Sequence, residues 1–165
     1  MTTDSQAAPQ SISTRLEFHE ALRSAFAEVS KIGCREVFLC DEDFADWPLS
    51  DAQVIDALTR WVLPHRKLTM LARHFDEVMR KHARFTQWRR TYAHVIDCRA
   101  PDDDENTQLP SMLVAPPLVC VRLFDRERYR GGVSHEAGDI LRNRELFDAV
   151  SQRSIESFPA SLLGL

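Results

Sequence analysis

The chain reads as an α/β sandwich, a mixed and mainly parallel sheet with helices on both faces. Three observations carry that expectation. Short apolar runs alternate three times with stretches of helical period between residues 15 and 98, and such alternation argues for α/β layering. The intervening stretches are long enough for the helical crossovers that parallel neighbours need. Two strand-like runs then follow, joined by a polar turn at residues 125–128, before one last helical stretch.

Taken in order, residues 1–12 are small and polar and are expected to form a disordered tail. A helix is expected over 15–31, because Thr14-x-x-Glu17 has the form of a capping box. Phe18, Leu22, Phe26 and Val29 repeat along one face of it, and Gly33 follows as a stop. Within 36–41, Val37-Phe38-Leu39-Cys40 is a continuous apolar run, the mark of a buried strand. Ser50-x-x-Gln53 repeats the capping form and opens a second helix, with Val54, Leu58 and Trp61 inward and Pro64 at its end.

Residues 67–72 make a second strand, 75–92 a third helix lined by Phe75, Val78, Phe85 and Trp88, and 94–98 a third strand. The segment 101–110, acidic between two prolines, is a solvated loop. Residues 112–114 form a short strand, and 118–124 pairs with 129–133. The last helix is expected over 140–157 and is closed by Pro159. Leu162, Leu163 and Leu165 are left to dock on the core or on a partner. At 165 residues the chain has the size of one domain, placed at 13–165.

Composition excludes several classes. Hydrophobic residues at 44% and charged ones at 28% suit a soluble globular protein. No apolar run approaches the roughly 18 residues of a membrane span, and residues 1–10 lack the basic start and apolar core of a signal peptide. The expectation is a cytoplasmic protein with no membrane contact. The four cysteines, at 34, 40, 98 and 120, have neither Cys-x-x-Cys nor zinc spacing. They read as reduced core residues, with no metal and no cofactor expected.

The net charge of −4 hides an asymmetry. Residues 1–59 carry 4 Lys/Arg against 11 Asp/Glu, residues 60–99 carry 10 against 3, and residues 100–165 carry 7 against 11. The basic middle block can face an anionic ligand or pair with the protein's own acidic flanks, and the pairing is the simpler reading.

The stretch from Leu118 to Glu136 carries the most specific pattern. Asp125 is followed after six residues by Gly132, and the spacing resembles the phospholipase D superfamily signature: His-x-Lys, four residues, Asp, six residues, Gly-Ser, two residues, Asn. In that register Leu118 stands at the His position, Cys120 at the Lys, Val133 at the Ser and Glu136 at the Asn. The order of elements over 13–158 resembles one half of such a protein as well. The resemblance implies a half-domain fold and a homodimer, because the superfamily builds its cleft from two halves. It also implies a chemistry in which His attacks phosphorus while Lys and Asn hold the phosphoryl oxygens. Leu118 and Cys120 can do neither, and a cysteine between Val119 and Val121 in a strand is a core residue whose burial silences its thiol.

Three further candidates are weighed against structural explanations. His135 stands with Ser134, Glu136 and Asp139 where an acid–base group can face a cleft, although Asp139 as an N-cap before Ile140 explains the same letters. Asp41 and Asp43 lie just past the carboxyl end of a central strand, where open α/β sheets place ligands. The run into Asp41-x-Asp43 also resembles the opening motif of haloacid dehalogenase-type phosphatases, in which paired carboxylates attack and hold magnesium. No later Lys and Asp-Asp pair completes that motif, and a solvated turn is the simpler account. Arg80, Arg84, Arg89 and Arg90 form a basic helix able to meet an anionic ligand or nucleic acid. A pI near 5.9 weighs against nucleic acid, and Phe85 and Trp88 beside these arginines suit a core.

The resulting expectation is a non-catalytic phospholipase D-like module that binds a partner or ligand, with a hydrolase built on Asp41, Asp43 and His135 as the alternative. Nucleic-acid binding through the 80–90 helix is the weaker third.

Overall fold

The computed structural model describes residues 9–102 and 108–159. Strand β1 (Gln10–Ile12) leads into α1 (Arg15–Ile32), β2 (Glu36–Cys40), α2 (Ala52–Trp61) and β3 (Lys67–Leu71). Helices α3 (Asp76–Lys81) and α4 (Ala83–Thr91) precede β4 (Ile96–Pro101), and β5 (Ser111–Ala115), β6 (Val119–Asp125) and β7 (Arg130–Ser134) follow. Helix α5 (Ala137–Ser151) and strand β8 (Ser154–Glu156) complete the described order. All eight strands form one sheet, in the order β1-β7-β6-β5-β2-β3-β4-β8.

Only β2, β3 and β4 run parallel, joined by helical crossovers; every other neighbouring pair is antiparallel. The expected mixed sheet is present, with its parallel part confined to these three strands; short links make β5–β6 and β6–β7 hairpins, and β1–β7, β2–β5 and β4–β8 are antiparallel pairs of strands distant in sequence. One row of registered residues crosses the sheet: Ser11, Gly132, Arg122, Met112, Cys40, Leu71, Arg99 and Glu156. It marks the carboxyl end of the parallel strands, here called the loop end. The opposite, motif end holds Leu118, Cys120 and Ser134.

Two apolar layers sandwich the sheet. The larger packs α1, α2 and α4 on one face, with Phe18, Phe26, Trp61 and Phe85 at most 1% exposed. The smaller holds α5 on the other through Ile140 and Phe147 against Phe38, Met112 and Cys120. Burying side chains of this size stabilises by roughly 2 kcal/mol each.

Several expectations are corrected. Residues 10–12 are a strand and no part of a disordered tail: they pair with β7 from Gln10–Val133 to Ile12–Gly131. The second helix is capped by Asp51, whose side chain accepts from the Gln53 N–H at 2.9 Å; Ser50 Oγ has no partner. The 75–92 helix is broken at His82, which has φ −122° and ψ 64°. Its ring is buried and meets the Phe44 carbonyl at 2.9 Å, so a long-range bond overrides the local period. The last helix starts at Ala137 with Glu136 as its cap residue and stops at Ser151, after which β8 pairs with β4. Asp139 therefore sits in the first turn and not at the cap. Residues 1–8 and 160–165, with the three terminal leucines, lie outside the described residues, as do 103–107 of the polar loop.

Candidate functional site

Thr14 caps α1 as expected, its side chain accepting from the Glu17 N–H at 3.0 Å. That helix runs back along the sheet and sets Glu28 near the motif end. There Cys120 is 3% exposed and its sulfur accepts from Asn143 Nδ2 at 3.4 Å. Burial pushes its thiol up from the ordinary range. Leu118 is half-buried against the larger core. Asp125 keeps a turn role, accepting from the Arg128 N–H at 3.2 Å. Gly131, beside the motif glycine, is the crowded one: a Cβ there would sit 1.9 Å from the Arg122 carbonyl oxygen, whereas at Gly132 the nearest atom is 3.2 Å away. The hairpin thus needs a glycine one residue before the motif position.

His135 is exposed and its Nε2 lies 3.1 Å from Glu28 Oε1. Ser134 Oγ donates to Asp139 at 2.6 Å and accepts from the Glu136 N–H at 3.1 Å. These bonds close the turn into α5.

Asp41 and Asp43 belong to the loop end. Asp41 is 2% exposed. One carboxylate oxygen accepts from the Ser111 hydroxyl. The other accepts from the N–H groups of Phe44 at 2.8 Å and Asp43 at 3.2 Å, with Arg126 Nη2 at 3.4 Å. Burial pushes its carboxyl above the usual range, against the pull of Ser111, Arg126 and the loop amides. Asp43 takes Arg126 Nη2 at 2.9 Å. Two buried histidines reach the same loop: His82 at the Phe44 carbonyl and His19 at the Asp46 carbonyl, 2.5 Å away. Asp46 itself takes Arg15 Nε at 2.7 Å and the Tyr129 hydroxyl. The loop is a clasp that ties β2 to β5, α1, α4 and the β6–β7 turn.

The two ends do not meet. From the register, His135 and Asp41 are about four residues apart along the strands and three strands apart across them, so about 20 Å separates them. Among the described residues no group of three or more His, Cys, Asp or Glu side chains could hold a metal ion.

The basic helix is dismantled as a face. Arg80 and Lys81 turn to Glu77. Arg89 is 6% exposed, donates to the Phe158 carbonyl at 3.1 Å and lies over the Phe158 ring. Only Arg84 and Arg90 remain exposed without a salt bridge among the described residues.

A groove of about 450 Å³ opens at the loop end, lined among others by Arg73, Leu109 and Leu146 and by Arg122, Phe124 and Arg126, which the sequence had not marked as a site. Its signal was an arginine inside the apolar run Val-Cys-Val-Arg-Leu-Phe of β6.

No family model and no curated protein matches the chain in sequence. Solved structures do match its shape. TrmBL2, an archaeal chromatin protein whose structure shows a novel mode of DNA binding, superposes with a TM-score of 0.64 at 13% identity, over 92% of this chain and 54% of its own. NucT from Helicobacter pylori superposes at 0.60 and 9% identity, over 91% and 99%. Nuc from Salmonella typhimurium, a phospholipase D family member, superposes at 0.54 and 9%, over 91% and 97%. The fold is phospholipase D-like. At 9–13% identity these likenesses carry the fold alone. This chain spans about half the length of TrmBL2 and nearly all of the two smaller proteins.

Proposed function

We propose that this chain is a non-catalytic phospholipase D-like module that binds a partner or ligand, acting in the cytoplasm. The observation that carries the reading is the closed motif end. Where the signature has its nucleophile and phosphate-holding lysine, Leu118 packs on the core and Cys120 lies under Asn143. A buried thiol among apolar neighbours is not ionised and does not attack phosphorus. The hydrolase alternative needs His135 beside Asp41 and Asp43, and their separation leaves it without a constellation. Nucleic-acid binding through the 80–90 helix loses Arg89 to the core and Arg80 to Glu77.

A second copy of the chain is the partner that the half-domain fold suggests. Sedimentation velocity is expected to give twice the monomer mass, and a monomer at all concentrations would remove the homodimer. For the catalytic question, the purified chain is incubated with bis(p-nitrophenyl) phosphate, with and without magnesium. The expected result is no release of nitrophenol above buffer. Release that co-elutes with the protein and disappears in Cys120→Ala or His135→Ala would overturn the reading.

A further inference from the structure

We propose that the groove at the loop end binds a small anion carrying a planar ring, with Arg122 and Arg126 taking the charge and Phe124 the ring. The proposal rests on the binding-module reading for its purpose, but its geometry lies at the other end of the sheet from the motif.

The groove opens beyond the carboxyl ends of the parallel strands β2 and β3, where Glu42 and Arg73 follow them. On one side of β2 its neighbour β3 is parallel, and on the other β5 is antiparallel. The region outside the carboxyl ends of the parallel strands is where open α/β sheets take ligands. A volume of about 450 Å³ also falls within the range of small-molecule pockets.

Arg122 is the second observation. It is half-buried on the α5 side of β6, and among the described residues no carboxylate forms a salt bridge with it. Its polar partner is the Asn143 side-chain oxygen at 2.9 Å, and its Nε is enclosed without a hydrogen bond. Burying a cation without an opposite charge is costly, and an anion in the groove offsets that cost. The contrast with Arg144 is direct: that guanidinium, also on the α5 side, has both Glu36 and Asp148.

The ring site follows from Phe124. It is 73% exposed, the largest exposure among the large hydrophobic side chains described. The Arg122 guanidinium lies 4.9 Å from its centroid. An aromatic fixed beside a cation and open to solvent is a stacking platform for another planar group. Arg126 adds charge at the rim: its Nη2 serves Asp41 and Asp43 while its side chain is 40% exposed. Glu42, the lining carboxylate, is already held by Arg73 Nε at 3.1 Å and the Leu109 N–H at 3.0 Å. Of the three lining arginines, Arg73 faces Glu42 and Arg126 faces Asp41 and Asp43, and Arg122 is the one with no carboxylate partner among the described residues.

The test is calorimetric titration of the full chain with four probes: AMP, benzoate, inorganic phosphate and adenosine. Saturable binding of AMP identifies a phosphate anion and of benzoate a carboxylate. Either is expected to bind at least about tenfold more tightly than phosphate or adenosine, which each carry half of the recognised chemistry. Arg122→Gln and Phe124→Ala are each expected to weaken that binding about tenfold, with the thermal melt confirming folded protein. Arg142→Gln, which touches Asp139 at the other end, is expected to bind as the parent. The proposal is overturned if neither ring-bearing anion saturates at about 10 mM, or if both groove variants bind like the parent. Turnover plays no part in this readout, so failure here leaves the non-catalytic reading standing, and hydrolysis in the other assay leaves this one standing.

Discussion

The two ends of the sheet solve opposite problems with the same strands. At the motif end, β6 and β7 carry Cys120 and Val133 inward, and Ser134, Glu136 and Asp139 close a turn. At the loop end the same β6 carries Arg122 and Phe124, two and four residues further on, and its hairpin turn reaches Asp41 and Asp43 through Arg126. One end is closed by apolar packing and a turn. The other has a dense polar network that the spacing never mentioned. The spaced residues of this hairpin have structural work of their own, Asp125 in the turn and Gly131 in the returning strand.

The largest expected effect lies at the loop end. Asp41→Ala leaves the Ser111 hydroxyl, two backbone N–H groups and part of Arg126 without their acceptor. Breaking a buried charged network of this kind costs about 3–5 kcal/mol, read as a shift in the urea midpoint with an unchanged slope. A loss below about 1 kcal/mol would mean that the clasp is not what holds the loop.

The motif end should respond far less. Cys120→Ala removes one sulfur from a packed layer and one weak acceptor from Asn143, at a cost of about 1 kcal/mol in the same urea experiment. If it matches Asp41→Ala, the contrast between the ends collapses. Such sensitivity would point to a strained or reactive thiol.

What could be read in advance follows the range of the interactions. Helix α1, the strand at Val37–Cys40 and the β6–β7 hairpin were legible because capping, apolar runs and turn residues are local. The edge strands β1 and β8, three residues each, are too short to show a period. The break at His82 was hidden because the bond that imposes it comes from Phe44, 38 residues earlier. The same holds for the site. Asp41 was placed correctly after a central strand, but Ser111, 70 residues on, and Arg126 gave no sign of converging on it. Arg89 looked like a surface cation, since its inward turn depends on the Phe158 carbonyl 69 residues away.

The subtlest effect is a pH dependence confined to the loop end. His19 and His82 are buried, each with Nε2 at a loop carbonyl, and burial is the main cause holding both below the ordinary imidazole range. Against burial, the Asp46 and Phe44 carbonyls favour the charged rings, as does the Asp46 carboxylate at His19, while Arg15 and Arg23 at His19 and Lys81 at His82 oppose it. In the unfolded chain both take up protons near pH 6.5, whereas in the folded chain they do so at lower pH. The unfolded state therefore binds more protons as pH falls through 6.5, and stability declines from neutral pH towards each lowered folded value, then levels. Asp41 acts with the opposite sign: its raised carboxyl loses stability as pH rises above about 3.8, the ordinary value, towards the folded one. His82→Gln keeps a donor for the Phe44 carbonyl and removes one titrating ring, so urea midpoints between pH 7 and 5 should fall less steeply than in the parent. If His82→Gln falls as steeply as the parent, the buried ring at the Phe44 carbonyl is not the source of the proton sensitivity, and the loop end loses that distinction.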